Sequence, residues 1–264
     1  VYRLRLKENN MKLIFRCITT AMMVFCFLQV NAQDINVQLK EAENFEKQLK
    51  EIEAIEKYKQ ILLTNPSNIK SLVKTAELNT ILGSKEKDKK NKRLFYESAL
   101  AFAQRALQAD ANSADANYAM AMASGKLTDV ESENKKIVAF VKDVKVYADK
   151  AVAINPNHAK ANYTLGKWHL EMVTLSGIKK MAVKLFYGGL PDGDLDKAIS
   201  LMEKCKSIEP YFATNYLDLG KAYQEAHQPA RAIEVLSKLI KLPTRTSEDI
   251  VIKAEGAKLL ESLQ

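Results

Sequence analysis

Apolar positions along the chain recur at helical spacing, not in strand-like alternation. Four short turns stand out, at Asn65-Pro66, Asp110-Ala111, Asn155-Pro156 and Glu209-Pro210. At 12, 8 and 5 positions before the second residue of each turn stand Ala54, Tyr58 and Ile61; Ala99, Ala103 and Ala106; Val144, Ala148 and Ala151; and Ala198, Met202 and Cys205. Steps of four and three residues put each trio on one face of a helix. The pattern predicts an all-α chain, with helices over 36–63, 68–82, 92–109, 113–126, 130–153, 158–173, 177–187, 194–208, 212–226, 229–241 and 247–263. The last opens on Thr246-Ser247-Glu248-Asp249, a capping-box pattern, and reads as a helix covering the end of the array. No stretch between helices has the composition of a linker between domains.

The turns also keep a register. The second residues of the pairs, 66, 111, 156 and 210, are 45, 45 and 54 apart. The octapeptide Ala111–Tyr118 matches Pro156–Tyr163 at five of eight positions, and Leu165-Gly166 recurs as Leu219-Gly220. This resembles the tetratricopeptide repeat, a 34-residue helix–turn–helix unit. The small residue at repeat position 8 matches Ala76, Ala121, Gly166 and Gly220. The alanine at position 20 matches Ala54, Ala99, Ala198 and Ala232, with Val144 departing. Ala198 to Ala232 is the undisturbed period of 34. The resemblance implies a right-handed superhelix of stacked helix pairs, with blocks of 11, 11 and 20 residues inserted between helices A and B of successive repeats. No such pair buries its apolar face alone, so stacking is obligatory.

A narrower resemblance rests on the 20-residue block. It reads Gly166-Lys167-Trp168-His169, then Leu175-Ser176-Gly177, then Leu185-Phe186-Tyr187-Gly188-Gly189-Leu190-Pro191, with Asn215–Tyr223 and Leu242-Pro243-Thr244-Arg245 further on. In this order the segments, over roughly Phe95 to Leu263, resemble the regulator of microtubule dynamics family and its bacterial secreted relatives. That likeness implies a non-enzymatic helical scaffold. Animal members are associated with microtubules or organelle contacts.

Composition refines the picture at the amino terminus. Lys12 and Arg16 precede an apolar run, Cys17 to Leu28, and Val30-Asn31-Ala32 has the small-residue pattern of a cleavage site. This predicts a signal peptide starting at Met11 and cleaved after Ala32, hence a periplasmic or secreted protein whose repeat domain is 33–264. The apolar run is too short for a membrane span, which needs about 20 residues, so no transmembrane segment is expected in the mature chain. Cleavage removes Arg3, Arg5, Lys7, Lys12 and Arg16 against Glu8 alone, and the net charge falls from +8 to +4. The case for a nucleic-acid partner falls with it. Cys17 and Cys26 leave too, and Cys205 alone cannot form an internal disulfide.

No catalytic, metal or cofactor site is expected. His158 and His169 are eleven residues apart, not the four of a helical metal pair. Asp192-Gly193-Asp194 lacks the further oxygen ligands calcium needs and reads as a turn with a helix N-cap. His169 and Cys205 read as packed side chains, and Trp168, Met172 and Leu175 as a stripe covered by the inserted helix 177–187. Lys85–Arg93 reads as a solvated connection and helix start. The expected function is protein or peptide binding on the concave face, with a groove of Tyr118, Lys160, Tyr163, Lys167, Lys221 and Gln224. Its lysines suit an acidic partner with an apolar anchor. An enzyme would show clustered His, Asp or Glu in a cavity near Trp168, and a structural part of an envelope assembly would show an exposed apolar patch.

Overall fold

In the computed structural model, residues 35–264 are described, with the side chains of Ile178 and Tyr187 left aside. The segment expected to direct export, residues 11–32, lies outside them. Twelve helices follow one another among the described residues: α1 (35–47), α2 (Glu51–Thr64), α3 (Ile69–Lys85), α4 (Lys89–Ala109), α5 (Ala114–Thr128), α6 (Asn134–Ile154), α7 (Ala159–Thr174), α8 (Gly177–Tyr187), α9 (Leu195–Ile208), α10 (Ala213–Glu225), α11 (Pro229–Leu239) and α12 (Glu248–Glu261). The pairs α3–α4, α5–α6, α7–α9 and α10–α11 each pack side by side.

The repeat positions do what their size requires. Ala54, Ala99, Ala198, Ala232, Ala76 and Ala121 are completely buried. A side chain on Gly166 would meet the Ala198 carbonyl at 3.0 Å, so helices α7 and α9 approach as closely as only glycine permits. Turns are tied by one recurring device. Asn117 and Asn162, equivalent and fully buried, donate from Nδ2 to the carbonyls of Ala111 and Ser113 and of Pro156 and His158. Asn68, Ser113 and His158 each cap the following helix by accepting a backbone N–H.

Three expectations are corrected. The single helix over 36–63 is two helices, because Leu49 takes a left-handed conformation (φ 58°). The 11-residue blocks do not lie between the helices. They lengthen the helices, so that α3 and α4 have 17 and 21 residues where α10 and α11 have 13 and 11. Only residues 86–88 separate α3 from α4. Asp88 accepts the N–H of Asn91 and starts α4 there, three residues before the expected start at 92 and inside the run read as a connection and helix start. The third concerns Trp168. It is buried, but among Val141, Val144, Met172 and Leu190, and it donates from Nε1 to the Val141 carbonyl at 2.9 Å. The extended α6 and the 188–194 return loop cover it. Helix α8 packs chiefly on α6 and stands on the outside, with Met181 and Leu185 more than 70% exposed.

Other expectations hold. Asp194 caps α9 through the N–H of Lys197. His169 is buried edge-on against Trp168, and burial together with Lys197 and Lys145 pushes its ring toward the neutral form. Cys205 is fully buried, and burial pushes its thiol up to about 12.

Candidate functional site at the centre of a closed ring

The first helices of the pairs form an inner layer: α3 touches α5, α5 touches α7, and α7 touches α10. Helix α12 then packs on α10 and α11 and reaches back to α3. The inner layer is therefore a ring of α3, α5, α7, α10 and α12. Two contacts reach across to the carboxyl-terminal segment, and a lysine of α3 backs one of them. Ser247 Oγ donates to Glu51 Oε1 at 2.6 Å across 196 residues of chain, Lys85 pairs with the same carboxylate at 3.0 Å, and Lys126 lies 3.9 Å from Glu248.

The ring surrounds a half-open cavity of about 310 Å³. Its wall includes Ile81, Met122, Tyr163 and Phe212, and the segment 245–249 roofs it. The roof is rigidly built. Asp249 accepts the N–H groups of Arg245 and Thr246 and the Thr246 hydroxyl, so the expected capping box is turned into an anchor for the loop. The Arg245 guanidinium lies over the Tyr211 ring at 4.2 Å.

Of the groove residues expected from the sequence, Tyr118, Lys160, Tyr163 and Lys167 meet in this wall. Lys221 and Gln224 lie in an adjacent depression, which Lys167 also borders. None of the three lysines is free. Lys160 pairs with Glu77 at 2.7 Å, Lys167 with Asp218 at 3.5 Å, and Lys221 with Glu255 at 2.8 Å and Asp218 at 3.6 Å. Both tyrosines are spent on the same carboxylates: Tyr118 donates to Glu77 at 3.0 Å and Tyr163 to Asp218 at 2.7 Å.

Glu77 is the centre of the larger network. It is buried and accepts from Tyr118, Lys160 and, through its second oxygen at 3.2 Å, Lys74. Lys74 also bonds Glu46, which accepts the Tyr58 hydroxyl. Burial alone would push the Glu77 carboxyl up. Lys160, Lys74 and the Tyr118 hydroxyl outweigh it and hold the group well below the usual carboxylate range.

This corrects the charge reading. The cavity wall carries seven carboxylates against five cationic side chains, so its field does not select an acidic partner. Sequence reasoning missed Glu77, Asp218 and the whole roof. Glu77 was legible as a groove position but not as the partner of a lysine 83 residues away. Among the described residues, no group of three His, Cys, Asp or Glu is placed to hold a metal ion, and no helix is long and apolar enough to cross a membrane.

Stacked helix pairs with small residues at the crossing points define a tetratricopeptide-like helical scaffold. The solved structure of a thermophilic tetratricopeptide protein from Thermus thermophilus shares the fold, with a TM-score of 0.60 at 14% identity over 86% of this chain and 99% of that one. PilW, a type IV pilus biogenesis factor, aligns with a TM-score of 0.51 at 16% identity over 87% of each chain. A family model described as regulator of microtubule dynamics protein 1-3 matches residues 38–264, and the chain belongs to that family. Regulator of microtubule dynamics protein 1 of Pongo abelii is 29% identical over 181 residues, 68% of this chain and 57% of that protein. The Homo sapiens protein is 28% identical with the same coverage. The chain thus matches little more than half the length of these relatives.

Proposed function

We propose that this chain is an exported, non-catalytic scaffold that holds a short, apolar-anchored segment of a protein partner in its central cavity. The carrying observation is the cavity itself, surrounded by the inner helices and lined by Ile81, Met122 and Phe212 beside fixed polar groups. Its size, about 310 Å³, lies at the lower end of the range that accommodates small ligands, about 300–1,000 Å³. It suits a few side chains of an extended segment. Catalysis is not the better reading, because the charges at the centre of the wall, Glu46, Lys74, Glu77 and Lys160, are spent on one another.

The test is to fill the cavity. Met122→Trp is expected to abolish co-purification of the partner recovered with the wild type, while circular dichroism and melting stay close to wild type. A partner retained at full affinity by a folded Met122→Trp protein would move binding to the outer surface. Export is tested separately by amino-terminal sequencing of protein taken from its native host. A chain beginning at Gln33 supports it, and a chain still carrying residues 11–32 overturns it.

A second reading, a structural part of an envelope assembly, draws on Ile250 and Val251 of α12, which are adjacent and exposed at 63% and 69%. The relatives are named for microtubule dynamics. A microtubule role for an exported chain would require it to meet microtubules, so the scaffold reading does not depend on one.

A further inference from the structure

Helix α8 is out of keeping with the rest of the molecule. It is capped at both ends, by Ser176 accepting the Lys179 N–H and by Gly188 in a left-handed conformation (φ 76°), so it is a built helix and not a chance turn. Gly193 then returns the chain. A side chain there would sit 2.6 Å from the His169 carbonyl, so the loop is pressed onto α7 and holds α8 on the outside. Yet among its described side chains only Val183 is half-buried. Met181, Leu185 and Phe186 are exposed by 72%, 74% and 70% within six residues. Elsewhere among the described residues, large exposed apolar side chains come singly, as the adjacent pair Ile250-Val251, or as the less exposed Ile208 and Tyr211.

At 100° per residue, Met181, Leu185, Ala182 and Phe186 form one stripe. Lys179 flanks it on one side, and Lys180 and Lys184 on the other. The helix contains no acidic residue. The three lysine side chains have no ion-pair partner among the described residues, in contrast to Lys160, Lys167 and Lys221. We propose that α8 is a docking surface for an anionic lipid bilayer, lying in the membrane interface with Met181 and Leu185 inserted and Lys179, Lys180 and Lys184 at the headgroups.

Two physical arguments select this occupant. An apolar stripe flanked by lysines whose stems can bend outward is the pattern that gains both from insertion and from attraction to anionic headgroups. A folded protein partner needs a matching surface of roughly 800 Å² on each side. An isolated eleven-residue helix, about 16 Å long and projecting from the body, offers a single ridge instead. A bilayer needs no matching groove. The surface is separate from the central cavity, so it stands or falls independently of the partner proposed there.

The experiment is hydrogen exchange on the full chain, read locally at the amides of 177–187. Vesicles of phosphatidylcholine with equal phosphatidylglycerol are compared with phosphatidylcholine alone. Expected is at least a tenfold slowing of exchange in α8 with the anionic vesicles, little with the neutral ones, and loss of the effect in 0.5 M salt. Met181→Ser with Leu185→Ser, and separately the triple change K179E, K180E and K184E, should each abolish the protection while the other helices exchange as in wild type. Unchanged α8 exchange on anionic vesicles would overturn the proposal, as would equal protection in the triple variant. Protection that rises with protein concentration in the absence of lipid would make a second copy of the chain the occupant, and would also overturn it.

Discussion

His227 is exposed and takes a left-handed backbone conformation (φ 56°) in the turn before Pro229. That conformation costs a non-glycine residue about 1–2 kcal/mol, while glycine loses part of the gain to a more flexible unfolded chain. His227→Gly is therefore expected to stabilise the protein by about 0.5–1 kcal/mol, seen as a higher melting temperature. Glu77 is the opposite case. Glu77→Gln keeps the shape but leaves the Lys160 and Lys74 ammonium groups without their shared carboxylate. Removing one partner of a buried pair costs about 3–5 kcal/mol, and chemical unfolding at pH 7 should show it. Replacing Lys160 by Met in the same variant should recover part of the loss. The pH dependence follows from the direction of the shift. A carboxyl whose folded pKa is depressed adds stability above its unfolded pKa, about 4.3, and that contribution fades as pH falls below it. The wild type should thus lose stability below about pH 4.3 more steeply than Glu77→Gln does. The crossing alanines and glycines were legible in the sequence because steric size at a fixed repeat position is a local property. The Glu77 network was not, because it joins residues of α1, α3, α5 and α7 that only the superhelix brings together.

At the scale of the element, periodicity located every helix except the break at Leu49, since leucine carries no stop signal. What it misplaced was the weight of two segments. The charged run Lys85–Arg93 looks like solvent-facing connection. In the structure it is the tip of the α3–α4 hairpin, where Arg93 donates to the Val130 carbonyl and pairs with Glu131. There Gly83 lies flat on the buried Tyr96 ring: a side chain would approach Tyr96 Cε1 to 2.5 Å. The apolar run of α8 looks like core and is exposed. Hydrophobicity reports that a face wants covering and says nothing about which neighbour is long enough to cover it; here α6, with 21 residues, reaches Trp168 first. The α3–α4 tip is accordingly expected to be the more sensitive of the two segments. Gly83→Ala should cost about 1–3 kcal/mol, the usual range for overpacking a filled site. Replacing Lys179–Tyr187 by a short flexible linker should cost less than about 1 kcal/mol, as for changes away from the core. Thermal unfolding of the two variants in parallel decides the order, and a linker variant that melts well below Gly83→Ala would place α8 in the core after all.

At the scale of the molecule, the decisive feature is that the ring closes. Repeat arrays are held by nearest-neighbour contacts and are open at both ends. Here α12 meets α3, and the segment leading into α12 forms one side of the cavity. Closure could not be read from repeat spacing, because it sums small rotations over every pair along the array. Its chemistry is concentrated in one place: the Ser247 hydroxyl on the buried Glu51 carboxylate, backed by Lys85. Ser247→Asp would set two carboxylates at hydrogen-bond distance with one lysine between them. Like charges this close cannot both remain ionised without strain. The roof is then expected to lift, since each end of the array is otherwise complete in its own pairings. Ser247→Ala removes the bond without adding repulsion and should have a smaller effect. Small-angle scattering reads the outcome directly as a larger radius of gyration for Ser247→Asp, with Ser247→Ala between it and the wild type. At pH 4 the variant should close again as the new carboxyl protonates. Opening also exposes the cavity wall beneath Arg245, so a partner that enters through the roof should associate faster with Ser247→Asp than with the wild type. Scattering curves identical for all three proteins at pH 7 would show that the packing of α12 on α10 and α11 fixes the ring without the Ser247–Glu51 contact.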